Sequence, residues 1–246
     1  MKSKFLLLFS ILALGLSGQS AKEIVKKAHD KLQGANTRGE MTMTIVRPSW
    51  SRDISMKSWN KGSDFSLIYI TAPARDEGTV FLKRKKEIYN WVPSIERTVK
   101  LPPSMMMQSW MGSDFTNDDL VQESSIVEDY THELAGDSLV DGRETWKIIL
   151  NPKPDAAVVW GKIITFISKE DYLQLRSEFY DEDGELVNVM KGREIREIGG
   201  RILPTRLEMI PVNEEGHRTV LEYHDLEFGV DNPENFFTTQ NMKRLR

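Results

Sequence analysis

The side chains best suited to catalysis or metal binding are scattered along this chain. No two of its histidines, His29, His132, His217 and His224, are separated by two or four residues, so no local metal-binding motif occurs. His217 and His224 are an odd number of positions apart on one predicted strand, which places them on opposite faces. The chain has no cysteine, which excludes thiol catalysis, disulfide bonds, zinc–thiolate sites and iron–sulfur clusters.

Serine and carboxylate side chains also lack a catalytic arrangement. No G-x-S-x-G elbow, phosphate-binding loop or dinucleotide fingerprint follows residue 20. Ser113 lies in a predicted turn, and Asp118-Asp119 and Glu214-Glu215 lie at predicted helix starts or turns, where solvated carboxylates are ordinary. The basic run Lys83–Lys86 is typical of a solvated hairpin tip, although it could contact an anionic partner or lipid headgroup. We therefore predict no catalytic residue, no metal site, no cofactor and no enzymatic activity.

The overall charge argues against nucleic acid as a partner. The 246 residues include 33 Lys and Arg and 37 Asp and Glu, which gives a net charge of −4. Nucleic-acid binding requires a clustered basic face, and none is visible. With 39% apolar and 28% charged residues, the composition is that of an ordinary folded chain.

The first twenty residues have the pattern of a secretory signal peptide. Lys2 and Lys4 precede an apolar run of twelve residues, Phe5 to Leu16. Twelve helical residues span about 18 Å, less than the hydrocarbon core of about 30 Å, so the run is too short for an anchor. Small residues at the −3 and −1 positions favour cleavage before Ala21. We expect a soluble, exported protein of residues 21–246, located in the periplasm.

Hydrophobic periodicity predicts one helix followed by a long series of strands. Residues 21–33 are amphipathic, and Gly34 ends the pattern. The predicted strands are 40–45, 52–60, 64–71, 79–83, 87–92, 97–101, 145–150, 161–167, 172–180, 186–198, 201–210 and 217–228. This pattern is typical of a single, mainly β domain with helices, an α+β fold. Roughly eleven antiparallel strands would form a strongly curved sheet or incomplete barrel.

Several predicted strands are apolar on both faces. Phe65, Leu67 and Tyr69 alternate with Ile68 and Ile70, whereas a strand with one face in water should alternate apolar and polar residues. Either helices cover the second face, or the sheet encloses an apolar cavity. Eleven methionines favour an adaptable surface for apolar guests, but ordinary core packing explains them equally well.

A methionine-rich segment interrupts the strands, and we call Met105–Leu120 the lid segment. Its apolar side chains share one helical face: Met106, Met107, Trp110 and Met111. A second short helix is predicted from Thr116, whose hydroxyl can accept a hydrogen bond from the amide of Asp119. We expect the lid segment to cover the cavity.

Six pieces of the chain resemble the outer-membrane lipoprotein-sorting protein family, the longer relatives of the LolA-like periplasmic carriers. The most specific is Trp-Met-Gly-Ser-Asp-Phe-Thr-Asn-Asp-Asp-Leu, residues 110–120. The weaker pieces follow in the family's order: residues 73–79, 91–97, 140–146, 203–206 and 236–241. The resemblance covers nearly all of the chain after residue 20.

The resemblance implies a partly open, curved antiparallel sheet whose concave apolar face is covered by helices. It also implies a monomeric carrier that shuttles lipoprotein acyl chains, or a similar lipid, from an inner-membrane transporter to an outer-membrane acceptor. In this family an arginine near the early strands holds the closed state, and the candidates here are Arg47, Arg52 and Arg75.

Ten apolar residues are predicted to line or cover the cavity: Met43, Ile45, Trp59, Tyr69, Trp91, Met106, Met107, Trp110, Met111 and Phe115. An acyl chain needs such a sheath in water, because each exposed CH₂ costs about 0.8 kcal/mol. Two alternatives use the same cavity: a lipid or lipoprotein sensor that regulates a membrane signalling partner, and a shuttle for a free lipid handled by an efflux pump. A lipid hydrolase would need a nucleophile and base that the sequence does not display.

Overall fold

The computed structural model describes residues 19–121 and 125–245. Except for Gln19 and Ser20, the predicted signal peptide lies outside the described residues. The basic and apolar residues on which the prediction of export depends are therefore not described either. Within the described ranges, no helix has both the length and the apolar character needed to cross a membrane.

The described chain is dominated by one antiparallel sheet of thirteen strands, where the sequence predicts roughly eleven. The strands are β1 (Asn36–Arg47), β2 (Trp50–Lys61), β3 (Phe65–Ala72), β4 (Val80–Arg84), β5 (Glu87–Val92), β6 (Arg97–Leu101), β7 (Tyr130–Val140), β8 (Arg143–Pro152), β9 (Lys162–Ser168), β10 (Gln174–Tyr180), β11 (Leu186–Ile198), β12 (Arg201–Pro211) and β13 (Arg218–Phe228). Consecutive strands of the chain pair with each other in the sheet, except for β6 and β7, and the first and last strands, β1 and β13, pair at its centre. This order leaves β6 and β7 as the two edges, so the sheet does not close.

Strand β7 is the element that periodicity missed entirely. Most of its residues are exposed, because it lies at the edge of the sheet and carries polar side chains such as Glu133 and Asp137. Its pairing with β8 also shifts register between Leu134 and Asp137, where Gly136 adopts a φ of 100°. A strand without a buried face shows no period of two, so its sequence has no strand signal.

Helix α1 (Ala21–Gln33) lies where the sequence predicts it. A reciprocal cap starts the helix: the Ser20 hydroxyl accepts a hydrogen bond from the Glu23 amide at 3.3 Å, and the Glu23 carboxylate accepts one from the Ser20 amide at 2.9 Å. The side chains of Ile24, Val25 and Ala28 are buried against the sheet. The remaining α-helices, α2 (Asn117–Val121) and α3 (Ser125–Glu128), are short.

The lid segment is less helical than its spacing predicts. Two 3-10 turns, Pro103–Met105 and Trp110–Gly112, replace the expected methionine-rich helix, and Met111 has a left-handed φ of 51°. The predicted cap of α2 is confirmed, since the Thr116 hydroxyl accepts a hydrogen bond from the Asp119 amide at 3.1 Å. The lid segment therefore holds its shape through turns and polar contacts.

Bulges and glycines allow the long strands to bend. Register shifts interrupt the pairing of β1 with β13 beside Glu40 and that of β2 with β3 beside Ser55, and such bulges increase local twist. Gly192 of β11 packs so tightly that a Cβ there would lie 2.7 Å from the carbonyl oxygen of Gln174. Only glycine permits this approach of two backbones.

Apolar clusters on both faces explain the strands that are apolar on both sides. On the inner face, which we define as the face covered by α1 and the lid segment, a large cluster includes Ile68 and Ile70 of β3. On the opposite, outer face, Phe65 and Leu67 belong to a second cluster with Phe237 and Met242. These two residues lie in the segment after β13, residues 229–245, which we call the C-terminal segment. Both explanations offered by the sequence hold in part: helices and a cavity occupy the inner face, and the C-terminal segment covers part of the outer one.

Candidate functional site

A cavity of about 190 Å³ lies between the inner face of the sheet, helix α1 and the end of the lid segment. The sheet contributes most of its apolar wall: Met41, Ile68, Ile163, Phe179, Leu203, Leu207, Met209, Leu221 and Leu226. Further apolar lining comes from Ala28 and Leu32 of α1, from Phe115 and Leu120 of the lid segment, and from Ile126, Trp160, Leu173 and Met190. The arrangement can hold an apolar ligand against largely apolar walls.

Except for Met107, the predicted cavity residues of the lid segment and of β1 lie on the inner face. Phe115 lines the cavity itself. The remaining buried residues of this group belong to the inner cluster without lining the cavity: Met43, Ile45, Met106 and Trp110. Met111 packs against the same cluster, whereas Met107 is 64% exposed. Met107 is exposed because the predicted helix is replaced by turns, which do not place its side chain beside those of Met106 and Trp110.

The three predicted aromatic residues of the early strands lie on the other face of the sheet. Trp59, Tyr69 and Trp91 belong to or pack against the outer cluster, beneath the C-terminal segment. The ring centroids of Trp59 and Phe236 are 5.4 Å apart. Alternation along a strand defines two faces without saying which one borders a cavity, and on β3 the inward side belongs to Ile68 and Ile70.

A buried ion pair fastens the lid segment to the rim of the sheet. The Arg47 guanidinium at the end of β1 donates hydrogen bonds to both carboxylate oxygens of Asp114, at 3.1 and 2.9 Å, and to the carbonyl oxygen of Gly112 at 3.2 Å. The two side chains are only 13% and 7% exposed. The Thr219 hydroxyl of β13 donates to the Asp114 carboxylate at 2.6 Å. Burial and two-point geometry make this contact stronger than a surface ion pair.

The other two candidate arginines differ in what they reach. Arg52 of β2 donates to the carbonyl oxygen of Met111 at 2.5 Å, so it also holds the lid segment. Arg75 forms an ion pair with the adjacent Asp76 at 3.1 Å. Asn188 of β11 adds a hydrogen bond to the carbonyl oxygen of Asp114 at 3.2 Å. Strands from both halves of the sheet therefore meet at the lid segment.

An apolar contact supports the middle of the lid segment. Trp110 is fully buried, and its ring centroid lies 5.1 Å from that of Phe81 on β4. The Trp110 amide donates to the carbonyl oxygen of Phe115 at 2.8 Å, which closes the turn that contains Asp114. The large aromatic side chain thus positions the turn whose carboxylate binds Arg47.

Two adjacent carboxyl groups of α2 are buried, contrary to the expectation that they are solvated. Asp119 accepts hydrogen bonds from the indole nitrogen of Trp160 at 2.9 Å and from the Thr116 amide at 2.8 Å. Asp118 is 5% exposed and lines the cavity. Lys83, assigned to the solvated hairpin tip by its sequence, is also buried. Sequence spacing does not reveal that Asp118, Asp119 and Lys83 are buried together, because their burial results from the packing of α2 against distant strands.

Burial changes the ionisation of the polar groups around the cavity. Desolvation, reinforced by the neighbouring Asp119 carboxylate, raises the pKa of Asp118 to about 7. Burial also raises the pKa of Asp119, against the effect of its hydrogen bonds. Burial, followed by the nearby Asp118 carboxylate, raises the pKa of the Tyr130 hydroxyl, and desolvation lowers the pKa of His29. At neutral pH the cavity therefore holds a neutral imidazole and a partly protonated carboxyl group.

No group of three or more His, Asp or Glu side chains in the described ranges is arranged to hold a metal ion. The cavity is lined by apolar side chains with a few polar groups, which is the usual composition of a small-molecule binding site.

Comparison with known proteins places the fold. A family model described as an uncharacterized protein matches residues 62–244. No curated protein matches the sequence.

Several solved structures share the fold at low sequence identity. A DUF1329 family protein from Desulfovibrio piger has a TM-score of 0.82 at 22% identity, covering 90% of this chain and 97% of its own. A LolA superfamily protein from Nitrosomonas europaea has a TM-score of 0.79 at 21% identity, with 90% and 99% covered. A putative outer membrane lipoprotein-sorting protein domain from Vibrio parahaemolyticus has a TM-score of 0.80 at 22% identity, with 91% and 98% covered. The resemblance that the sequence motifs predict is confirmed for the fold.

Proposed function

Because the chain belongs to the uncharacterized protein family whose model matches residues 62–244 and has a LolA-like fold, we propose that it is a periplasmic lipid carrier. It binds the acyl chains of lipoproteins, or a similar lipid, in the inner cavity and carries them from the inner to the outer membrane. The leader is cleaved, and residues 21–246 act as one domain that receives cargo from an inner-membrane transporter and delivers it to an outer-membrane acceptor.

The main support for this proposal is an apolar cavity bordered by the lid segment. Hydrogen bonds from Arg47 and Arg52 hold this segment against the sheet. An acyl chain inside the cavity would contact Met41, Leu207 and Leu221 instead of water. Each CH₂ group that leaves water for the cavity contributes about 0.8 kcal/mol to the free energy of binding. The cavity of about 190 Å³ is smaller than the roughly 300–1,000 Å³ of typical small-molecule sites, so the lid segment must move to admit a chain.

The hydrogen bonds between the lid segment and the sheet are of a kind that allows the lid segment to open reversibly. Arg47 donates hydrogen bonds to Asp114, and Arg52 donates one to the carbonyl oxygen of Met111. Water can replace these bonds once the lid segment lifts. Trp110 would bring its apolar surface toward an incoming chain, so opening would not expose it to water alone. Loading then requires only that a lipid bind the open form better than the closed one.

The proposal is tested by identifying what the exported protein holds. The full chain is expressed with its leader in a bacterium with two membranes, purified gently from the periplasm and extracted with organic solvent for mass spectrometry. Met190→Trp adds volume at a partly buried position of the cavity wall, and Met107→Trp adds the same side chain at an exposed position of the lid segment.

We expect acylated species in stoichiometric amount with the wild type and Met107→Trp, and much less with Met190→Trp. A circular dichroism spectrum of the β type for all three proteins ensures that folding is equal. An extract without acylated species, or one that Met190→Trp leaves unchanged, would contradict a carrier that uses this cavity.

A further inference from the structure

One carboxylate oxygen of the cavity wall lacks a hydrogen-bond partner. The Oδ1 atom of Asp118 is buried and accepts no hydrogen bond from any residue in the described ranges. A buried acceptor left unpaired loses about 1–3 kcal/mol relative to its hydrated state, so a free carboxylate oxygen here is unfavourable without a compensating donor. Because Asp118 lines the cavity, a bound ligand is in position to provide that donor.

The neighbouring carboxyl group shows that this lack is specific to Asp118. Both oxygens of Asp119 are occupied, one by the Trp160 indole nitrogen and the other by the Thr116 amide. These bonds fix the start of α2, and so they hold Asp118 in place at the cavity. Asp119 therefore has a structural role, and Asp118 remains available for a ligand.

The charges around Asp118 are mostly negative. Asp119 on the same helix and Asp129 before β7 both raise the pKa of Asp118, whereas Lys83 of β4 lowers it. Tyr130 of β7 lines the same cavity, as does His29 of α1, whose lowered pKa leaves its imidazole uncharged at neutral pH. A positively charged donor would gain more from these surroundings than a neutral one, and an anion would be repelled.

We propose that Asp118 is the polar anchor of the cavity, and that it binds an amphiphile whose head group is a hydrogen-bond donor, preferably a primary ammonium. This inference rests on the proposed lipid-binding function and adds the chemistry of the ligand's polar end. The apolar wall holds the chain, while the ammonium group donates to Oδ1 of Asp118. Free fatty acids, whose carboxylate would lie beside the buried acids, are disfavoured.

The experiment compares three ligands with the same chain and different head groups. Binding of decylamine, decanol and decanoate to the exported, delipidated protein is measured by titration calorimetry at pH 7. The same series is run with Asp118→Asn, which preserves shape, and with Glu128→Gln, which removes one negative charge at an exposed position outside the cavity lining.

We expect decylamine to bind about tenfold more tightly than decanoate in the wild type and in Glu128→Gln, with decanol between them. In Asp118→Asn the ratio should fall to about threefold or less. Decylamine binding should also release protons in the wild type, since an ammonium favours the ionised form of a carboxyl group whose pKa is about 7. Titrations in two buffers with different ionisation enthalpies measure this release, which Asp118→Asn should abolish.

Each contrary result has a distinct meaning. If all three ligands bind with equal affinity, or if Asp118→Asn leaves the preference unchanged, the anchor is disproved while the lipid carrier stands. If none of the three binds and the mass-spectrometric extract is also empty, both the anchor and the proposed function are wrong.

Discussion

Replacing Arg47 with leucine should release the lid segment while the sheet stays folded. Arg47 lies at the end of β1 and contacts the lid segment through Asp114 and Gly112. Leucine retains apolar bulk beside the exposed Trp50 but can donate no hydrogen bond from its side chain. The perturbation therefore acts on the fastening and leaves the strand pairing of β1 with β2 and β13 intact.

The magnitude follows from the burial of the pair. Removing one partner of a buried ion pair costs about 3–5 kcal/mol, because the other charge is left without compensation. Here the Asp114 carboxylate keeps its hydrogen bond from Thr219 at 2.6 Å, so the loss should be about 2–3 kcal/mol. Since each 1.4 kcal/mol is a factor of ten, the equilibrium for lid opening should increase about 30- to 150-fold.

Hydrogen–deuterium exchange read by mass spectrometry measures this opening directly. The amide of Trp110 is bonded to the carbonyl oxygen of Phe115, and that of Asp114 to the Thr219 hydroxyl, so both are protected only while the lid segment is seated. Peptides that cover the lid segment should exchange faster in Arg47→Leu by the factor given above. Peptides from β8 and β9 should not change.

A matched control variant separates the loss of the Arg47–Asp114 contact from the general effect of removing one positive charge. Arg38 is an exposed arginine on the same strand, so Arg38→Leu should leave lid exchange as in the wild type. Arg47→Lys should give an intermediate rate, because an ammonium cannot form the two-point contact with Asp114. Unchanged lid exchange in Arg47→Leu, or equal acceleration in every peptide of the protein, would refute the reasoning.

Three further perturbations test other parts of the structure. Asp118 has an ordinary pKa of 3.8 raised to about 7, so the folded state retains a proton between these values and stability falls as pH rises through this window. Asp118→Asn should therefore increase the free energy of unfolding by roughly 2–4 kcal/mol at pH 8 and leave it unchanged at pH 3, as measured by urea denaturation. Phe237 is fully buried against the outer face, and Phe237→Ala should cost about 3–5 kcal/mol in the same assay without changing decylamine affinity. A chain that begins at Ala21 lacks the Ser20 cap of α1 and should be about 1 kcal/mol less stable than one that begins at Gln19, with the difference visible in thermal unfolding by circular dichroism.

Local pattern was sufficient for most of the elements. Helix α1 has the predicted bounds because its apolar face and the glycine that ends it lie within about four helical turns of one another in the sequence. The cap of α2 was equally visible, since Thr116 and Asp119 are three residues apart. Strand β7 was missed because an exposed edge strand carries no alternation. Two 3-10 turns stand in place of the predicted methionine-rich helix, and Met111 has a left-handed backbone that does not fit an α-helix.

The residues of the cavity could not be assigned from the sequence. Alternation on β3 separates Tyr69 from Ile70, but only the packing of α1 and of the C-terminal segment decides that Ile70 points inward. Three arginines were candidates for contact with the lid segment, and the structure shows that Arg47 reaches it through Asp114 and Arg52 through the carbonyl oxygen of Met111.

Local sequence pattern establishes a mainly β chain with strands that are apolar on both faces, one N-terminal helix and a methionine-rich insertion. These properties depend on neighbours a few residues apart, and periodicity records them. Tertiary packing buries Asp118 and brings Asp114 to Arg47 across 67 residues of chain. Burial and ion pairing depend on which distant surfaces meet, and no local spacing encodes that meeting.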